Sequence, residues 1–217
     1  MSPILQIQNL QFDHTVWPDI SLQAGESAGY LVPKEEDAFA LLNVLTGITA
    51  PENGHVSWFG TSLQDLPEKK LLPMLRRSLS LTPDGGLLAN LSLVENILLP
   101  CITRQPKEQT NFEKELYSLA TMKNGYLGHT LKTLSKLPHQ ITDLERCSAG
   151  LLRARLARPE ILIFCNIFNE IDHNQTSLLS TWVDQLHACL PNTAYFFLLP
   201  ESTLPSSFST VSLLNPQ

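Results

Sequence analysis

An α/β fold with strands and helices in alternation is what this sequence predicts, and three observations carry the expectation. Two continuous apolar runs, Ile161–Phe164 (ILIF) and Tyr195–Leu199 (YFFLL), have the length and content of strands buried on both faces of a parallel sheet. Stretches with helical spacing stand around them, Ser177–Cys189 among them, and strands alternating with helices build a doubly wound core. The third observation is composition. Of 217 residues, 43% are hydrophobic and 17% charged, enough apolar material for a packed core and too much for a disordered chain.

The elements follow in order. Residues 4–10 (ILQIQNL) alternate apolar and polar as a half-buried strand does, and residues 17–24 (WPDISLQA) repeat the pattern up to Gly25. Tyr30–Val32 is a short apolar strand. Pro33 then opens a helical pattern through Leu41, Leu42 and Leu45 that closes at Gly47. His55–Phe59 reads as a strand closed by Gly60, and residues 68–77 (EKKLLPMLRR) as a basic, partly helical segment leading into Leu79–Leu81. Residues 108–136 are polar and helix-prone, so a helical insert is expected roughly over 86–145 of a single domain spanning 1–217. A further helix is expected from Thr142 to about Arg155. The Ser/Pro-rich tail, roughly 205–217, is expected to be loosely held.

Charge and cysteine usage exclude several classes. A net charge of −6 and a pI near 5.5 argue against a nucleic-acid partner, which requires a basic surface. Cys101, Cys147, Cys165 and Cys189 are far apart and the six histidines are scattered, so neither a metal site nor a disulfide framework is expected, and a reduced, cytoplasmic setting is. The N-terminus lacks the pattern of a signal peptide, and no run of about 18 apolar residues occurs. Any membrane association is therefore expected to be peripheral.

Gly25-Glu26, a strand, a helix ending LLNVLTG and then PENGHVSWFG resemble the opening of the ATPase subunit of an ABC transporter. LTPDGGLLANLSLVENILLP (Leu81–Pro100) is similar to that family's Q-loop and following segment. His139–Asp172 resembles the stretch from signature motif to D-loop. The resemblance covers nearly the whole chain. It implies a P-loop NTPase-like ABC ATPase domain with an antiparallel β subdomain and a small helical subdomain. The wording around Gly85–Asn96 is similar to ATPases of Mla-type lipid transporters and of lipoprotein-release systems.

The resemblance also shows which residues depart from the pattern. Val32–Ala40 occupies the nine positions of the phosphate-binding loop, and there Val32, Glu35 and Asp37 stand in place of glycines. Ala38 replaces the lysine that meets the β- and γ-phosphates, and Phe39 and Ala40 replace the hydroxyl pair of which one holds Mg²⁺. Lys34 lies four positions early, and its side chain is expected to leave from the opposite part of the turn. Glu35, Glu36 and Asp37 face the place of a polyanion. Like charges about 5 Å apart repel by roughly 1 kcal/mol in water-like surroundings and about 3 kcal/mol at an effective dielectric near 20. The same acids also suit a helix N-terminus, whose free amides and dipole favour carboxylates, so a self-capped helix is the preferred account of them.

Cys165 and Asn166 stand where the family has the Walker B Asp-Glu, Pro83 where it has the Q-loop Gln, and Pro200, followed by Glu201, where it has the switch His. The signature positions Thr142, Asp143 and Leu144 lack both glycines, while Asp172 matches the retained D-loop Asp. Phe12 falls near the position whose aromatic stacks on adenine in the family, though core packing is the simpler role. No catalytic residue, cofactor or metal is expected. The resemblance implies a pseudo-ATPase docked on a membrane permease as scaffold or regulator, in lipid or lipoprotein transport, as a homodimer or beside an active ATPase subunit. A divergent working ATPase and a soluble protein-interaction module remain the alternatives.

Overall fold

The computed structural model describes residues 2–121, 131–169, 171–200 and 212–216. The chain forms two compact units, the first made of Met1–Ser80, Pro159–Asn166 and Pro191–Gln217, the second of Leu81–Arg158 and Ile167–Leu190.

The first unit holds two sheets. In one, β1 (Leu5–Phe12) pairs antiparallel with β2 (Thr15–Val16), β3 (Ile20–Leu22) and β5 (Asn53–Trp58), and β5 continues to β6 (Thr61–Ser62). Strict alternation along β1 would bury Asn9. Instead the register with β5 shifts between Gln8 and Gln11, Asn9 takes a left-handed φ of 48°, and Leu10 moves into the core beside Leu5 and Ile7. Asparagine is among the few residues that enter this region at low cost. Asp13 and His14, both at positive φ, close a two-residue hairpin between β1 and β2.

The expected strand over 17–24 shrinks to Ile20–Leu22. Its first three residues are engaged otherwise. The Trp17 ring lies 5.0 Å from that of Tyr30, Pro18 offers its carbonyl to the Tyr30 hydroxyl, and the Asp19 carboxylate accepts the Asn9 N–H at 2.7 Å. Burial pushes the Tyr30 hydroxyl well above its ordinary pKa, so it stays a donor.

The second sheet runs in the order β10 (Ser212–Leu214), β4 (Ser27–Val32), β9 (Ala194–Pro200), β8 (Ile161–Cys165), β7 (Ser78–Leu81), and β4 pairs parallel with both β10 and β9, as β8 does with β9. Every residue of β8 and β9 is buried, as the unbroken apolar runs required. Helix α1 (Glu35–Leu45) lays Ala38, Leu41, Val44 and Leu45 on this sheet, while the apolar residues of α2 (Glu68–Leu75) are only partly covered. The tail departs from expectation: Ser212–Leu214 is strand β10, fixed to β4, whereas 205–211 and Gln217 lie outside the described residues. Pairing with β4 and half-burial of Leu213 and Leu214 outweigh the local Ser/Pro preference for coil.

The second unit is helical. It contains α3 (Leu93–Arg104), α4 (Gln109–Ala120), α5 (Leu131–Leu134), α6 (Asp143–Ala157) and α7 (His173–Cys189), with α3 packed on α4 and α6, and α6 on α7. It takes in the span expected as an insert, of which 122–130 lie outside the described residues. Helix α7 begins four residues earlier than its apolar periodicity suggested, because Asp172 caps it by accepting the Gln175 N–H at 2.9 Å.

Gly29 tests the packing of the central sheet. A Cβ there would stand 2.2 Å from the Phe197 carbonyl oxygen and 2.8 Å from the Phe197 Cβ. Gly29→Ala is expected to destabilise the chain by about 2–3 kcal/mol, read as a lower urea midpoint at unchanged slope.

Candidate functional site

The turn between β4 and α1 is the heart of the site in the first unit. Only Pro33 and Lys34 separate the two elements, and α1 is already helical at Glu35. Pro33 therefore precedes the N-cap, Lys34, rather than opening the helix as the sequence suggested. No residue from Glu26 to Thr46 has a positive φ. An anion-binding nest is made by alternating right- and left-handed residues that turn successive N–H groups to one point, and this turn has none.

Its amides are engaged within the chain instead. The Asp37 carboxylate accepts the Lys34 N–H at 3.0 Å, closing the first turn of α1 on itself. Of the three acids read as caps, Asp37 makes this cap bond, while Glu35 and Glu36 are exposed. In that setting the water-like end of the repulsion range applies to the two glutamates, about 1 kcal/mol each. Val32 and Ala38 are core residues, Ala40 is half-buried, and Phe39 stays 42% exposed.

Two other predicted positions meet this turn. Pro200, at the end of β9, is the register partner of Val32. Asn166 follows β8 with a left-handed φ of 54°, donates its main-chain N–H to the Leu198 carbonyl at 2.9 Å, and donates Nδ2–H to the Glu35 carbonyl at 2.9 Å. Cys165 is fully buried, and desolvation pushes its thiol up to about 12, which leaves it protonated and inert at neutral pH. Glu201 lies outside the described residues.

A cleft of about 220 Å³ lies beside the turn, lined by Phe12, Asp13, Thr15, Trp17, Pro33, Lys34 and Asp37. Phe12 packs half-buried against the core, the simpler of the roles weighed for it, and also lines the cleft. Lys34 also lines the cleft. As the N-cap of α1 it has extended backbone, with φ −135° and ψ 157°.

The remaining predicted positions belong to the second unit. Pro83 sits in the turn Thr82–Gly86, where Gly85 N–H bonds the Thr82 carbonyl at 2.8 Å and Gly86 N–H bonds Asp84 Oδ1 at 2.9 Å. The Pro83 carbonyl accepts the Cys147 thiol at 3.1 Å. Gly85 must be glycine: its φ is +71° and a Cβ would stand 2.2 Å from the Arg146 carbonyl. The sequence reading passed over Arg153, which is 8% exposed and donates at 2.7 Å to both the Gly85 and Gly86 carbonyls. Burial lowers its pKa and Asp84 raises it. A charged residue within a helix otherwise rich in buried positions was the available signal.

Thr142 is the N-cap of α6, in a reciprocal bond with Glu145: Glu145 N–H to Thr142 Oγ1 at 3.3 Å, and Thr142 N–H to Glu145 Oε2 at 2.8 Å. Asp143 forms an ion pair with Arg146, so the bare negative charge read from the sequence is neutralised within the helix. Leu144 is half-buried, and Asp172 caps α7. Among the described residues no cluster of three metal-ligating side chains occurs, and no helix is long and apolar enough to cross a membrane.

Two measurements follow. Arg153→Leu is expected to cost about 3 kcal/mol in urea unfolding, because the buried Gly85 carbonyl and the part-buried bond to the Gly86 carbonyl lose their donor. Thiol titration of the folded chain at pH 8 is expected to find Cys189, which is exposed, reacting fast. Cys101, held up to about 11 by burial, and the buried Cys147 and Cys165 are expected to react only on unfolding.

No family model matches the chain. It is 26% identical over 175 residues to the probable ribonucleotide transport ATP-binding protein Mkl of Mycobacterium tuberculosis, covering 80% of this chain and 47% of that protein. It is 27% identical over 171 residues to the bacitracin export ATP-binding protein BceA of Halalkalibacterium halodurans, covering 78% and 65%. With the lipoprotein-releasing system ATP-binding protein LolD of Buchnera aphidicola it shares 23% over 159 residues, covering 73% and 66%. The chain spans about half the length of the Mkl proteins it matches. Its fold matches the dimeric ABC transporter cassette MJ0796 with a TM-score of 0.71 at 16% identity, over 97% of this chain and 94% of that one. It matches CbiO1 of Clostridium perfringens with a TM-score of 0.72 at 13% identity, over 94% and 82%. The homologues and the structural neighbours of this chain are ATP-binding subunits of ABC transporters, and its fold is that of their ATPase cassette.

Proposed function

We propose that the chain serves an ABC transporter as a nucleotide-binding-type subunit that does not hydrolyse ATP. It sits on the inner face of the membrane, docks on a permease as scaffold or regulator, and pairs with a second copy or with an active ATPase subunit. The observation that carries this reading is the β4–α1 turn. Where a triphosphate needs a loop of upturned amides and an ammonium, the chain has a helix that starts at once, three acids in its first turn, and Asp37 bonded to its own N-cap. The general base and the metal-positioning carboxylate are replaced by Asn166 and by a buried neutral thiol, neither of which activates water. Cargo in lipid or lipoprotein transport is the finer proposal, supported by the likeness to LolD.

One observation favours a second reading, a divergent nucleotide binder: Lys34 and Phe12 wall the same cleft. Stacking on one aromatic contributes about 1–3 kcal/mol, which by itself corresponds to binding no tighter than roughly millimolar. Calorimetric titration with Mg²⁺–ATP separates the two. Heats consistent with a Kd weaker than about 1 mM are expected, and a Kd below about 100 µM would overturn the non-catalytic reading. Co-purification with a permease is the matching test of docking, and a clean monomer free of membrane partners would count against it.

A further inference from the structure

Asn166 makes a contact that the proposed function does not use. Its side chain is fully buried, and its Nδ2–H reaches 131 positions along the chain to the carbonyl of Glu35, the first residue of α1. The main-chain bond to Leu198 fixes Asn166 against β9, so the side chain ties a rigid strand end to the first helical turn. A carbonyl has two lone pairs, and that of Glu35 accepts this bond beside the helical one from four residues on. The orientation of the amide is determined. Turning it over would set its oxygen against the Glu35 oxygen at 2.9 Å, two acceptors with no proton between them. Oδ1 is left buried without a partner among the described residues, which the chain tolerates in order to keep the Nδ2 bond. The left-handed φ of 54° also favours asparagine over most side chains at this point.

We infer that Asn166 is an internal latch, an autoinhibitory contact that holds the start of α1 at Glu35 and so keeps the β4–α1 turn shut against an anion. Asp37 closes the same turn from within the helix, and Asn166 closes it from the sheet. Its meaning rests on the reading that the site does not take ATP, but the latch itself is measurable without nucleotide.

The test is amide hydrogen exchange and thermal unfolding of the full chain carrying Asn166→Gly or Asn166→Asp. Asn166→Gly keeps the left-handed backbone and removes only the amide. At least about tenfold faster exchange is expected at the Phe39 amide, whose helical bond goes to the Glu35 carbonyl, and at the Lys34 amide held by Asp37, with residues 42–45 unchanged, and a Tm lower by roughly 3–8 °C. Asn166→Asp puts a carboxyl where the donor stood. Burial raises its folded pKa above the ordinary value of about 3.9, so the folded state binds more protons than the unfolded. Its deficit is therefore expected to grow as pH rises from about 4 and to shrink on acidification, when the protonated oxygen can donate to Glu35. The glycine variant's deficit is expected to stay flat with pH. Wild-type exchange in Asn166→Gly, or an Asn166→Asp profile parallel to wild type, would overturn the latch. Should the glycine variant fail to fold, the pH profile of the aspartate variant decides alone. Tight Mg²⁺–ATP binding by the unaltered chain would instead overturn the non-catalytic reading and leave a latch seen in these variants standing.

Discussion

A buried strand that hands its chain to a helix must deal with the amides at that helix's first turn, because they have no partners inside the helix. A phosphate is one answer. This chain gives another. It runs from β4 into α1 across two residues, folds Asp37 back onto the Lys34 amide, and holds the Glu35 carbonyl with Asn166. Most departures from the ABC pattern in the first unit follow from that choice. A helix that starts at Glu35 puts position 38 in the core, where a lysine ammonium would be buried and Ala38 fits. The end of β8 carries a thiol that burial keeps neutral.

The second unit follows the same rule by different means. Thr142 and Glu145 satisfy each other across the first turn of α6, Asp143 pairs with Arg146, Asp172 caps α7, and the Pro83 carbonyl takes the Cys147 thiol. At these positions side chains that could face a ligand form their bonds within the chain. The turn from Thr82 to Gly86 goes furthest, because a buried guanidinium spans both glycine carbonyls and removes the freedom the glycines would otherwise give it.

The fold was legible wherever burial wrote itself into a local run. Ile161–Cys165 and Ala194–Pro200 are apolar without interruption because both faces are covered, and Leu41, Val44 and Leu45 recur at helical spacing because one face of α1 is. What escaped was non-local. Nothing in Ser-Leu-Leu at 212–214 announces a strand, since its partner is β4, nearly the whole chain away. The start of α7 is set by the capping box of Asp172 and Gln175, which lies four residues ahead of the point where apolar spacing begins. The replaced positions of the site could be named from the resemblance. Their new partners could not, because the reach of Asn166 to Glu35 and of Arg153 to Gly85 exists only after folding.

The order of the parallel sheet also sets a timetable. β4 has β9 on one side and β10 on the other, and both lie beyond residue 190. A ribosome adding 5–20 residues per second needs roughly 8–35 s to travel from the end of β4 to the end of β9. Throughout that interval Ser27–Val32 has emerged with both hydrogen-bonding edges open and its apolar side chains uncovered. Its two edges close only once β9 and β10 have been made, so the central strand of the sheet is completed by its most distant segments.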